Sequence, residues 1–215
     1  MSYDKACGYL ELIIGPMWAK KSKNLAFKIS TYADYNMKCL FINHIYDKRS
    51  EDEDTYDDGN FSQHGSSSFI LSSKIDRMKI DNLLDVHVDA YDAIAIDECQ
   101  FFGEDLVTEV KKWVNEKHKV VICAGLDGDA NCRVFGHTLF LIPLADKVEK
   151  LQAQCAVCLY ELQKTGFCGI EAVLANAPFS ARITENSGDQ IQPGGKESYT
   201  PMCRYHHQEH LRLSL

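Results

Sequence analysis

YLELIIGPMWAKKSKNLAFKISTY, residues Tyr9 to Tyr32, decides the fold. Leu10 to Ile14 is an apolar run that stops at Gly15, and after a short loop Leu25, Ile29 and Tyr32 recur at the spacing of one helix face. The pattern predicts a strand, a turn and a helix. A turn of this kind that carries Gly, four residues, Gly, Lys and Ser or Thr wraps its backbone N–H groups round a nucleotide's phosphates at the helix N-terminus. Gly15, Lys21 and Ser22 keep that spacing, whereas Lys20 stands where the second glycine belongs. The stretch therefore reads as a phosphate loop with one position altered.

Outward from it the same alternation continues. Lys38 to Asn43 (KCLFIN) reads as a short buried strand, Ile75 to Leu84 suits a helix, and Ala93 to Ile96 (AIAI) is an apolar run that ends in Asp97 and Glu98. Carboxylates just past a buried strand stand where open α/β sheets bind ligands, although such a pair can equally cap the next helix. Leu106, Val110, Trp113, Val114 and Lys117 mark an amphipathic helix, followed by the strand Val120 to Ala124, the loop GLDGDANCRVFG and the apolar run Leu139 to Pro143. Strand and helix alternate to about residue 150, which predicts the α/β class: a parallel sheet covered by helices, forming a nucleotide-binding lobe over 1–150. Within it, residues 47–68 lose all periodicity and read as a long exposed loop, its acidic run Glu51 to Asp58 a solvated surface.

A chain of 215 residues with 45% apolar content can bury one good core and carry a small appendage. Its net charge of −8, from 31 acidic and 23 basic residues, argues against a nucleic-acid polymer as the main partner but leaves free nucleotides open, since a local group of lysines can oppose the global sign. No apolar run approaches the roughly 20 residues of a membrane helix, and MSYDKACGYL lacks a signal-peptide core, so a soluble cytoplasmic protein is expected.

From Leu151 the periodicity fails, and residues 151–215 would struggle to fold on a core of their own. The nine cysteines suggest what holds them. Most are scattered and read as small buried hydrophobes. Cys155 and Cys158 instead form C-x-x-C, and Cys203 and His206 form C-x-x-H. Two such knuckles complete a tetrahedron for a structural Zn²⁺, with His207 and His210 as competitors for the fourth position. The other reading is a reactive dithiol with an unrelated downstream cysteine. A small zinc-stapled second subdomain over 151–215 is expected.

IIGPMWAKKSKNL, AIDECQFF, AGLDGDANCRVFG, the C-x-x-C and PGGKESYTPMCRYH together resemble the type II thymidine kinases, deoxynucleoside kinases of animals, bacteria and large DNA viruses, over residues 8 to 207. The resemblance implies a lobe like that of the phosphate-loop ATPases, a zinc-held lobe whose lasso loop closes over thymidine, and a homotetramer. It implies transfer of the γ-phosphate of ATP to the 5′-hydroxyl of thymidine, or of deoxyuridine, in nucleotide salvage for DNA synthesis. Glu98 falls on the family's general base. Gly15, Met17, Lys21, Ser22, Asp97 and Gln100 fall on nucleotide-binding positions, with Ser22 and Asp97 on the Mg²⁺ contacts. Phe101 and Leu126 match walls of the base pocket, as does Met17. Phe179, Ser180 and Arg182 match a motif near substrate; Gln190, Ile191, Gln192, Pro193 and Gly194 match the lasso, and Tyr199 its closing tyrosine.

Several positions depart from the family. Lys20 replaces a glycine that lets backbone approach phosphate. Lys23 and Asn24 replace Thr and Glu, Ala130 replaces a phenylalanine against the substrate, the motif at His64 is shortened to His64 and Gly65, and Pro193 interrupts the lasso. These changes frame the alternative: a catalytically impaired relative that serves as a regulatory or oligomer partner.

Overall fold

The computed structural model describes residues 7–47, 60–61, 69–70, 74–165, 175–184, 194–195 and 197–213. The acidic run Glu51 to Asp58, His64, Gly65, Cys168 and the lasso positions Gln190, Ile191, Gln192 and Pro193 lie outside the described residues. Strand β1 (Tyr9–Ile14) leads through the loop at Gly15 into α1 (Lys21–Asp34), as the periodicity requires. Leu25 and Ile29 are fully buried on α1, and β2 (Cys39–His44) is buried along its whole length. Two short strands, β3 (Asn60–Phe61) and β4 (Phe69–Ile70), pair antiparallel with each other. Next come β5 (Ile75–Ile80), β6 (Ala93–Ile96), α2 (Asp105–Asn115), β7 (Val120–Gly125) and β8 (Lys147–Lys150).

These strands build a six-stranded parallel sheet in the order β5-β2-β6-β7-β1-β8. Strands β2 and β6 are buried on both faces, which is why their sequences run apolar without alternation. One reading changes. Ile75 to Ile80 is a strand, in register with β2 from Cys39↔Ile75 to His44↔Ile80, where a helix was expected. Its charged Arg77 and Lys79 suit the sheet edge it occupies. The apolar run at 139–143 is a 3-10 turn, Thr138–Leu144, with Pro143 inside it, and the edge strand comes after it at Lys147–Lys150.

The chain clusters into two compact units. One takes in residues up to Ile13, Ser22–Gly125 and Gly136–Glu149; the other takes in Ile14–Lys21, Leu126–Phe135 and the chain from Lys150. In the first, the buried Glu11 on β1 bonds Lys147 at 2.8 Å and Lys28 at 3.1 Å, fastening β1 to β8 and α1. The second contains β9 (Ala153–Gln154), α3 (Ala156–Thr165), β10 (Asn176–Ala177), β11 (Phe179–Arg182), β12 (Tyr199–Met202) and α4 (Arg204–Leu213). Its apolar cluster is built from alanines (153, 175, 177, 181) with Cys155 and Met202. Such small side chains bury little area, so this unit needs a staple beyond packing. Among the described residues no helix is long and apolar enough to cross a membrane.

Candidate functional site

In the first unit β6 delivers Asp97 and Glu98 at its end, both buried. The Asp97 N–H donates to the Ile42 carbonyl at 2.9 Å, extending the β2–β6 ladder by one residue, and Asp97 Oδ1 accepts the Glu98 N–H at 2.9 Å. Glu98 then takes the left-handed conformation, φ 52°, before the 3-10 turn Cys99–Phe101. A non-glycine residue held there stores strain of about 1–3 kcal/mol, and such strain gathers at functional positions. Gln100, also buried, donates its amide N–H to Glu98 Oε2. Phe101 is half-buried and stacks at 5.6 Å with His44.

Asp47 joins this pair. Asp47, Asp97 and Glu98 are all buried, with carboxylate oxygens within 4.8 Å of one another. Three buried carboxylates this close repel unless a cation lies among them or a proton is shared. The sequence reading placed Asp47 at the start of an exposed loop, and the structure corrects it. The signal was there, because a carboxylate follows the buried run of β2 as Asp97 follows that of β6.

The second unit holds the phosphate loop with the hairpin β11–β12. Gly15 has φ 147°, and a Cβ there would lie 2.5 Å from the Leu151 carbonyl oxygen, so only glycine fits. The Met17 N–H donates to Ser180 Oγ at 2.9 Å, and the buried Lys21 ammonium to the Pro16 carbonyl at 2.8 Å. Trp18 and Ala19 pack on the alanine cluster. Lys20 is left-handed with φ 62°, the conformation for which glycine is the ordinary choice, and its side chain is exposed.

On the hairpin Arg182 faces Tyr199 in register, and its guanidinium donates to the Tyr199 hydroxyl at 3.2 Å. Phe179 stacks on His207 at 5.0 Å and under the Arg204 guanidinium at 4.8 Å. Thus Met17, Ser180, Arg182 and Tyr199, far apart in sequence, share one neighbourhood. Leu126 is half-buried at the head of its loop, which Asp129 closes by accepting the N–H groups of Asn131 and Arg133. Gly194 is exposed.

The Cys155, Cys158, Cys203 and His206 ligand atoms also converge within 4.8 Å. His206 Nδ1 lies 3.4, 3.4 and 3.3 Å from the three sulfurs, and Cys158 Sγ lies 3.9 Å from Cys203 Sγ. A tetrahedron with Zn–S near 2.3 Å and Zn–N near 2.0 Å has edges of about 3.5–3.8 Å, so this donor set fits Zn²⁺. The two competing histidines are engaged elsewhere, His207 Nε2 donating to the Ala130 carbonyl and His210 Nε2 to that of Arg182. Burial raises the Cys155 thiol's pKa, yet N–H groups of Cys158 and Cys203 together with His206 bring it down to about 7. Burial and the neighbouring Cys155 and Cys203 push Cys158 up to about 12.

A parallel α/β sheet whose first strand opens into a phosphate-type loop, with carboxylates at the end of another strand, defines the class of phosphate-loop nucleotide-binding proteins. The thymidine kinase family model matches residues 8–207. The chain is 37% identical over 199 residues to the thymidine kinase of Amsacta moorei entomopoxvirus, covering 91% of this chain and 95% of that protein. It is 33% identical over 197 residues to that of vaccinia virus strain Ankara (92% and 95%) and 31% over 200 residues to that of fowlpox virus (92% and 95%). The chain belongs to the thymidine kinase family.

Proposed function

We propose that this protein is a thymidine kinase, a phosphotransferase that moves the γ-phosphate of ATP to the 5′-hydroxyl of thymidine, with deoxyuridine as a second acceptor, in cytoplasmic pyrimidine deoxynucleotide salvage. The observation that carries the reading is Glu98, buried and strained at the end of β6 in a chain that the family matches almost end to end. In this reading Glu98 takes the 5′-hydroxyl proton as the oxygen–phosphorus bond forms and the bond from the γ-phosphorus to the bridging oxygen breaks, ADP leaving. Lys21 balances phosphate charge, with Gly15 and Met17 in the loop. Ser22 and Asp97 would hold Mg²⁺, with the Asp47 carboxylate, within 4.8 Å of that of Asp97, as a further oxygen donor suited to a hard cation, which leaves Glu98 to act as the base. When bound, that ion neutralises charge building on the phosphates.

Phe101, Leu126, Phe179, Ser180, Tyr199 and the lasso 190–194 are assigned to the nucleoside. Cys155, Cys158, Cys203 and His206 hold a structural Zn²⁺, the chain is organised as lobes 1–150 and 151–215, and copies assemble as a homotetramer. The impaired-partner alternative drew on Lys20 and Ala130; the Lys20 side chain is exposed. Titration of Mg²⁺–ATP into zinc-loaded protein, followed by assay of thymidine 5′-phosphate formation, tests the proposal. Binding with turnover supports it; no ATP binding and no product overturn it.

A further inference from the structure

We infer that Gln100 is a positioning residue for Glu98, acting on the transfer step through the base and not as a nucleotide contact; this rests on the reading of Glu98 as the general base. A carboxylate only accepts hydrogen bonds, so the Gln100 amide must turn its N–H toward Glu98 Oε2. That fixes the other end of the amide. Its Oε1 lies over Gly125, the last residue of β7, 3.0 Å from where a Cβ on Gly125 would sit. The same point is 3.0 Å from Thr138 Oγ1 and 3.1 Å from Cys99 Cβ. The missing side chain at Gly125 is what leaves the amide its place.

The surroundings hold the residue from the other side as well. Gly136, with φ 58°, packs its Cα against the Gln100 backbone, where a Cβ would meet the Gln100 carbonyl. Gln100 is 3% exposed and Glu98 7% exposed, so neither side chain has water to orient it freely. The Gln100 amide therefore helps to aim a carboxylate carried by a strained backbone residue, and the amide is itself fixed by two glycine-dependent close approaches. Misplacing a reacting group by about 1 Å costs on the order of 10²-fold in rate.

The test uses the zinc-loaded full chain. Gln100→Met keeps the length and removes the donor. The inference expects kcat to fall about 10- to 100-fold, with KM for ATP and thymidine within about threefold of the parent. It also expects the loss to vanish in a Glu98→Gln background, because a residue acting through the base has nothing left to act on. Should Gln100→Met not fold, Gly125→Ala reads the same contact: the added methyl displaces the amide, and kcat falls with the same dependence on Glu98.

Failure of the base assignment shows separately, as undiminished turnover in Glu98→Gln alone. With the base upheld, a raised KM for ATP at unchanged kcat makes Gln100 a nucleotide contact and overturns the inference. Losses that multiply in the double mutant overturn it too.

Discussion

Lys20 offers the most direct test of how far the altered phosphate loop differs from a glycine-bearing one. Its φ of 62° puts a side-chain-bearing residue where L residues lose roughly 1–2 kcal/mol, while its exposed side chain contributes little packing. Lys20→Gly relieves that strain but adds backbone freedom to the unfolded chain, worth about 0.5–1 kcal/mol. The net gain is about 0–1.5 kcal/mol, an increase in Tm of up to ~6 °C for a chain of this size. ATP affinity is a separate matter. A phosphate-cradling turn needs this left-handed conformation when nucleotide is bound, and Lys20 already has it at φ 62°, so the strain is carried by free and bound protein alike and drops out of the binding free energy.

What remains is charge. Two unit charges even ~8 Å apart interact by only on the order of 0.5 kcal/mol in water, less after screening by salt, and that sets the scale for an exposed ammonium beside a phosphate. Lys20→Ala keeps the Cβ strain and removes the charge; Lys20→Gly removes both. Both variants should bind Mg²⁺–ATP within about threefold of the parent in calorimetric titration, and only the glycine variant should gain stability. A gain in affinity beyond about tenfold in either variant would mean that the lysine obstructs the phosphates. A tenfold loss would mean that it has become a phosphate ligand. Either result refutes the reasoning from an outward-facing side chain.

Glu98→Gln should lower kcat by about 10²–10⁴-fold and leave thymidine KM nearly unchanged, read by steady-state kinetics. Metal analysis should find one zinc per chain, and Cys203→Ala should abolish retention of the metal and cooperative unfolding of the second unit, monitored by calorimetry. Glu11 has its pKa lowered overall: burial opposes ionisation, but the hydrogen bonds from Lys147 and Lys28 outweigh it. A depressed carboxylate stabilises above its unfolded pKa of about 4.3 and loses that contribution as pH falls through the lower folded value. Glu11→Gln should therefore cost about 1–3 kcal/mol at pH 7 and flatten the pH dependence of Tm below about pH 4.5. Thr138 Oγ1 is fully buried with no hydrogen-bond partner among the described residues, so Thr138→Val should raise Tm by about 2–4 °C; a fall would mean that the hydroxyl is satisfied.

The sequence by itself determined what depends on local spacing. Leu25 and Ile29 sit one helical turn apart and are buried together on α1; Cys155 with Cys158 and Cys203 with His206 each sit three apart and converge on one point. AIAI followed by two carboxylates marked a buried strand, and both carboxylates are buried at its end. Tertiary structure alone decided what depends on partners distant in the chain. Ile75–Ile80 has no decisive period, and it is a strand because β2 offers it an open edge. Asp47 joins Asp97 only because β2 and β6 pair in parallel register, bringing two chain segments to the same end of the sheet. His206, and neither His207 nor His210, completes the metal set because α4 turns those two toward the carbonyls of Ala130 and Arg182. The exposure of the Lys20 side chain, and the room that Gly125 leaves for Gln100, are likewise properties of packing. Periodicity reports which face of an element is apolar, and it carries no information about which other segment that face will meet.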